Sequence, residues 1–249
     1  MTNKTMYDAY GEYGRLLTDA MLLGGRNKFQ GQELSAAVVD VRAKLRPRPN
    51  ERFLDIGCNI GLFLEAFAND VAEAVGQDHE TLLAHFKSRG VPANVTLIPG
   101  FWPAVQAEGM FDCILAYSVL AVLPDRDVAW RFIDACLDKL TPGGRLLLGD
   151  LANRDARSRF MDSREGAEVA SAYNRIRQSD RASDVLGEYE KRDAIHGAVE
   201  IPAEFIDDAF VVDVLKHCRA RGFEAYLLPQ PEGLPFWRSR EDILVLRRD

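Results

Sequence analysis

Phe53-Leu54-Asp55-Ile56-Gly57-Cys58-Asn59-Ile60-Gly61, continued by Leu62-Phe63-Leu64-Glu65-Ala66-Phe67-Ala68, is the stretch that decides the fold. A short apolar run ends on an acid, passes through two glycines four positions apart, and gives way to a second apolar stretch. The pattern reads as a buried strand, a tight turn and the first turns of a helix. Glycine at such a turn lets the backbone approach a ligand closely, and the helix start offers N–H groups with no partner inside the helix. A nucleotide-like ligand is therefore expected at the end of this strand.

Working outward, the chain alternates strand and helix from residue 51. The first strand covers Arg52 to Ile56, followed by a helix from Gly61 to Asn69. The second covers Glu73 to Gln77 and closes on Asp78, with a helix through Leu82, Leu83 and Phe86. A third covers Val95 to Ile98. A fourth, Phe111 to Ala116, precedes a helix from Asp125 to Leu140. Pro142-Gly143-Gly144 turns the chain into a fifth strand, Arg145 to Gly149. Such alternation implies a mostly parallel sheet covered by helices on both faces. Upstream, Leu34, Val38, Val41 and Leu45 fall at helical spacing, and Pro47 and Pro49 stop that helix. Residues 1 to about 30 carry Tyr7, Tyr10 and Tyr13 and read as an arm rather than as core.

After Asp150 the pattern changes. Residues 151 to about 200 are rich in Arg, Asp, Ser and Ala and read as a helical insertion over the site. A helix is expected from about 202 to 221. Two apolar runs, Phe223 to Leu228 and Asp242 to Leu246, close the chain; their linker is too short for a crossover helix, so they should pair antiparallel. The expected organisation is an arm over 1–50, a core over 51–150, the insertion over 151–202 and the rest of the core over 203–249. The fold class is α/β, with a Rossmann-like, mostly parallel seven-stranded sheet ending in an antiparallel hairpin.

At 249 residues, 47% hydrophobic and 28% charged, the chain is long enough to bury a full core. The formal net charge of −7 argues against gripping nucleic acid through the overall field. Cys58, Cys113, Cys136 and Cys218 form no close pair and read as reduced, buried thiols rather than metal ligands or disulfides. No run is long and apolar enough to span a membrane, and the first residues hold no apolar signal core, so a cytoplasmic location is expected.

Four motifs in order make the chain resemble a class I S-adenosylmethionine-dependent methyltransferase. They are Asp55 to Gly61, the acidic Asp78, Phe111-Asp112, and Leu140-Thr141-Pro142-Gly143-Gly144. A looser resemblance, carried by Gly25 to Gly31, Gly76-Gln77-Asp78-His79, Tyr117-Ser118-Val119-Leu120 and Gly149 to Asn153, is to bacterial small-molecule methyltransferases of surface-sugar or natural-product pathways. Asn59 departs from the family's usual glycine, although Asn is the side chain that best tolerates positive φ.

The resemblance implies S-adenosylmethionine as cofactor, with Asp55, Gly57, Cys58, Asn59 and Gly61 around its methionine end. Asp78, at the tip of the second strand, would accept both ribose hydroxyls, beside His79. Gly100, Phe101 and Trp102 would flank the adenine, and Tyr117 and Ser118 would lie near the reactive methyl. Asp150, His79, Tyr117 and His196 are the candidates for catalytic groups; His85 and His217 lie in helical patterns. Arg26, Lys28, Arg154 and Arg157 are candidates for holding a phosphorylated, carboxylated or nucleotide-linked acceptor. Methylation of a small polar or anionic metabolite is expected, at oxygen rather than nitrogen.

Two other readings stay open. A nicotinamide-dependent oxidoreductase expects G-x-G-x-x-G at the turn, which Gly57 and Gly61 do not supply. A non-catalytic cofactor-binding or scaffold protein has Asn59 as its only hint. Amino-methylating enzymes of nucleic acids carry Asn/Asp-Pro-Pro-aromatic after strand four; Tyr117-Ser118-Val119-Leu120 stands there instead. No metal is expected, and the oligomeric state is not readable.

Overall fold

The computed structural model describes residues 4–199, 204–234 and 236–248. The chain opens with α1 (Met6–Leu16), whose Thr5 and Asp8 side chains cap the first turn reciprocally, and α2 (Ala20–Leu23), capped by Asp19. Helix α3 (Gly31–Leu45) buries Leu34, Ala37, Val41 and Leu45 on one stripe and ends at Arg46, in the left-handed conformation just before Pro47.

The βα rhythm then follows: β1 (Arg52–Ile56), α4 (Leu62–Phe67), β2 (Glu73–Asp78), α5 (Glu80–Arg89), β3 (Val95–Pro99), β4 (Phe111–Tyr117), α6 (Arg126–Asp138) and β5 (Leu140–Ala152). Three helices come next, α7 (Arg154–Met161), α8 (Arg164–Ala182) and α9 (Glu188–His196). The chain closes with α10 (Asp208–Ala220), β6 (Phe223–Pro229) and β7 (Arg240–Arg247). The sheet order is β3-β2-β1-β4-β5-β7-β6, with β7 antiparallel to both neighbours and the other pairs parallel.

Alternate residues of the central strands face opposite cores. Leu54, Ile56, Ile114, Leu146 and Leu148 pack against α6 and α10 through Phe132 and Phe210. Phe53, Cys113, Leu115 and Leu147 pack against α3, α4 and α5 through Val41, Phe67 and Phe86. Asp112 clamps the strand starts: one carboxylate oxygen accepts Arg52 N at 2.8 Å, the other Thr141 Oγ1 at 2.8 Å. All four cysteines are buried and unbonded to one another.

The structure differs from the sequence reading in four places. The fifth strand is longer than Arg145–Gly149, because Leu140 already pairs with Phe111 and Leu151 and Ala152 continue along β7. Thr141 to Gly144 is an excursion within the strand, Cys113 next pairing with Arg145, rather than a turn before it. Helix α10 starts later than residue 202, since Asp207 caps it by accepting Phe210 N at 2.8 Å; residues 200–203 lie outside the described ones. The arm is not merely an arm. Met6, Ala9, Tyr13, Leu17, Leu22 and Leu23 form a buried cluster with Ile60, Leu82, Tyr189 and Ile195.

Candidate functional site

Strand order reverses between β1 and β4, and the ends of those strands open a crevice there. The turn after β1 forms its floor. Gly57 and Cys58 donate their N–H groups to Gln77 O at 2.9 and 3.2 Å, with Gly57 at φ 77°. A Cβ on Gly57 would stand 2.5 Å from Val119 Cγ2, so both conformation and space require glycine. Asn59 takes the left-handed conformation at φ 52° and the turn stays intact. Its N donates to Asp78 Oδ2 at 2.7 Å, its Nδ2 to Leu23 O at 2.9 Å, and its Oδ1 accepts Ile60 N at 2.8 Å. The Asn59 amide is thus committed to the arm and the turn. Gly61 caps α4 beneath the Phe86 ring and does not line the crevice.

Two carboxylates define the crevice's charge. Asp55 is 1% exposed, and its Oδ2 has no hydrogen-bond partner among the described residues. Burial, reinforced by the nearby Asp78, pushes its carboxyl well above the usual range. Asp78 stands at the tip of β2, where its two oxygens accept Asn59 N at 2.7 Å and His79 N at 2.6 Å. Burial raises its pKa to about 6, against the opposing pull of those two N–H donors. Gln77, between them, donates to Gly100 O and Val105 O while its buried Oε1 is left without a partner.

Gly100, Phe101 and Trp102 line the far wall, Trp102 anchored by its indole N–H on Phe132 O at 3.3 Å. Tyr7 comes across from α1 to meet Phe101 edge-on, ring centroids 5.2 Å apart. Burial, then the charge of Asp78, raises the Tyr7 phenol to about 12, so it stays a neutral donor. Tyr10, Met21, Gly24 and Arg26 complete the roof.

At the end of β4, Ser118 lies at φ 61° and faces Asp150, at φ 57° on β5. Two non-glycine residues in this conformation mark a place where backbone strain is held by surrounding contacts. Ser118 Oγ donates to Asp150 Oδ2, and Arg26 Nη2 approaches Ser118 Oγ at 3.5 Å. Asp150 N donates to the buried Asp242 Oδ1 at 2.8 Å, and Asp242 is paired with Lys44 at 2.6 Å. Gln230 Nε2 reaches Tyr117 Oη and Asp150 Oδ1, both at 3.4 Å. Burial pushes Tyr117's phenol far above its usual range, Asp150 and Asp242 adding to the effect.

The structure therefore brings Asp55, Gly57, Cys58, Asn59, Asp78, Gly100, Phe101, Trp102, Tyr117, Ser118 and Arg26 to one crevice, with Asp150 behind Ser118. It does not bring the others. His79 caps α5 through Thr81 and packs on Tyr7. His196 ends α9, exposed and away from the crevice. Lys28 pairs with Asp184 at 2.9 Å and Glu188 at 3.5 Å. Arg154 and Arg157 line a different cavity. His85 bonds Gly14 O, and His217 bonds Asp134. Gln230, Asp242 and Arg240 join the site's surroundings without a motif to announce them.

Residues 28–192, well over half of the chain, match the family described as Methyltransferase domain. The chain belongs to that family. The S-adenosylmethionine-dependent methyltransferase resemblance of its motifs and its class I sheet agree with this membership. Among curated relatives, this chain is 32% identical over 127 residues to the 27-O-demethylrifamycin SV methyltransferase of Amycolatopsis mediterranei, covering 48% of this chain and 46% of the relative. It is 27% identical over 171 residues to the chondramide synthase of Chondromyces crocatus, covering 62% of this chain and 4% of the relative. The chain spans less than half the length of each. The same fold occurs in the N-methyltransferase NodS of Bradyrhizobium japonicum, solved with S-adenosyl-L-homocysteine: TM-score 0.57, 16% identity, 98% of this chain and 99% of that one covered. No helix among the described residues of the chain is long and apolar enough to cross a membrane.

Proposed function

We propose that this chain transfers a methyl group from S-adenosylmethionine to a small polar or anionic molecule, at oxygen rather than nitrogen. The observation that carries the reading is Asp55: a buried carboxylate on the crevice floor with an oxygen that nothing among the described residues satisfies. A buried anion without a partner is costly unless a cation arrives, and the cofactor's ammonium is such a cation. Asp78 complements it. Each carboxylate oxygen has two acceptor positions, and the two backbone N–H groups occupy only half of them, leaving room for both ribose hydroxyls. Phe101 and Tyr7 offer apolar faces for the adenine. The cofactor supplies an electrophilic methyl on sulfur; this chain's residues hold it, exclude water and align the acceptor, effects worth on the order of 7–11 kcal/mol at best.

The Ser118–Asp150 pair favours oxygen. A hydroxyl acceptor must lose its proton, and Asp150, bonded to the serine that lines the crevice, would take it through Ser118; that hydrogen bond supports the reading. The rifamycin relative's name speaks of oxygen and that of NodS of nitrogen, so the relatives leave the choice to the site.

The test joins calorimetry with S-adenosylhomocysteine to methyl transfer from labelled S-adenosylmethionine onto hydroxyl- and amino-bearing metabolites. Wild-type protein should bind S-adenosylhomocysteine and methylate a hydroxyl compound. Asp150→Asn should keep that binding and lose about 10²–10⁴-fold in kcat. Absence of binding by the wild type, or full turnover by Asp150→Asn, would refute the respective assignment.

A further inference from the structure

Behind the Ser118–Asp150 pair lies a second cavity that the cofactor reading leaves unused. Arg154, Arg157, Arg240 and Ser239 line it together with apolar Phe205 and Phe236. It adjoins the first crevice closely. The 3-10 turn Leu120–Val122 is a shared wall, with Val122 on the crevice side and Ala121 on the other. Asp150 joins the two chambers, since its Oδ2 accepts Ser118 Oγ from the crevice and lies 3.3 Å from Arg240 Nη1 in the second cavity.

The three arginines are not equivalent. Arg154 is committed: its Nη2 donates to Asp207 at 2.9 Å, its Nη1 to Glu204 O at 3.3 Å, and its Nε lies 3.5 Å from Asp155. Arg157 has one carboxylate partner among the described residues, Glu204 at 3.4 Å, and both side chains are largely exposed. Among the described residues the Arg240 guanidinium has polar contacts with Asp150 alone, through its Nη1. A guanidinium carries five donors in a planar fork; Arg154 directs three of them at Asp207, Asp155 and Glu204 O, with its charge balanced by two carboxylates, whereas Arg157 and Arg240 each face a single carboxylate and retain more donors for a further anion.

Resting on the methyl-transfer reading, we propose that the second cavity seats the acceptor's anionic group, a carboxylate or a phosphate. Arg157 and Arg240 grip it, Phe205 and Phe236 cover the adjoining apolar body, and the acceptor's hydroxyl points back to Ser118 and Asp150. The acceptor class is thus an amphipathic hydroxy acid or hydroxy phosphate. The site's donors come from β7 and α7, elements that carry none of the cofactor motifs.

Calorimetry on the full chain, with and without saturating S-adenosylhomocysteine, tests this with paired probes: 4-hydroxyphenylacetate against its primary amide, and phenyl phosphate against phenol. At least one anion should bind tenfold or more tighter than its neutral counterpart, as expected for charge-assisted bonds; which pair shows the preference tells carboxylate from phosphate. Arg157→Gln and Arg240→Gln should each remove most of that ratio, with unchanged affinity for S-adenosylhomocysteine and cooperative melting as the check on folding. Arg154→Gln should keep the ratio. Equal binding of anion and neutral partner in both pairs would overturn the proposal, as would a ratio untouched by the Arg157 and Arg240 substitutions. Failure of wild-type protein to bind S-adenosylhomocysteine would sink the methyl-transfer reading instead, and the anion preference measured without it would still decide this one.

Discussion

Lowering the pH from 7 to 5 should weaken adenosine binding about tenfold, because the ribose is expected to need Asp78 ionised. Burial raises that carboxyl from 3.8 to about 6 in the ligand-free protein. The ionised fraction is then about nine tenths at pH 7 and one tenth at pH 5, and each further unit removes another factor of ten. The same shift bears on stability with a definite sign. The folded chain holds the proton more tightly than the unfolded chain, so stability is greatest below pH 4 for this group. It falls as pH rises from about 4 to about 6 and is level above. The shift amounts to at most about 3 kcal/mol, an upper figure because the crevice admits water to one edge of the carboxylate. Ligand binding should therefore recover at neutral pH what ionisation costs. Adenosine is the right probe because it lacks the ammonium that Asp55 would meet. Isothermal titration from pH 5 to 8 reads the affinity, circular dichroism confirms that the fold persists, and Asp78→Asn is the control. The asparagine turns an amide N–H₂ toward one of the backbone N–H groups of Asn59 and His79, and should lose both the affinity and its pH dependence. A flat affinity across this range in folded wild-type protein, or retained binding by Asp78→Asn, would refute the reasoning.

Gly57→Ala combines a positive φ with a 2.5 Å approach to Val119, so denaturant unfolding should show a loss of about 2–4 kcal/mol. Adding Val119→Ala should return only the steric part; an unchanged midpoint in the single variant would contradict the geometry. Glu188 holds the arm to α9 by accepting Thr18 N, Thr18 Oγ1 at 2.9 Å and Asp19 N at 3.3 Å. Glu188→Ala should cost about 2–3 kcal/mol and speed hydrogen exchange across α2, with weaker cofactor binding because Met21 and Gly24 roof the crevice. Unaltered exchange in α2 would show that the apolar cluster alone holds the arm.

The strand boundaries and the turn were legible because their signals are local. Period-two and near-continuous apolar runs set β1, β2 and β4, and Gly57, Asn59 and Gly61 are residue types that tolerate the left-handed conformation the turn uses. The acids Asp55 and Asp78 were legible for the same reason, as they stand at strand ends. The limits of β5 were not, because Leu140 and Ala152 are strand residues only through their partners Phe111 and Arg240. The histidines show the other failing. His79 is next to Asp78 in sequence, yet the helix start turns its ring toward Tyr7 and Thr81. Lys28 and Arg154 read in sequence as candidates for holding an anionic acceptor, and each pairs with a carboxylate more than 50 positions downstream.

The sequence by itself determined the alternating βα order, the glycine turn and the two carboxylates that mark a place for the methyl donor, since these depend on residue type and near neighbours. Tertiary structure alone decided what surrounds them. It left Asp55 Oδ2 without a partner among the described residues, set Asp150 behind Ser118, and brought Arg240 from the last strand beside Asp150. Those facts arise from contacts between segments up to 92 positions apart, where a side chain's charge and hydrogen bonds depend on what the fold packs against it.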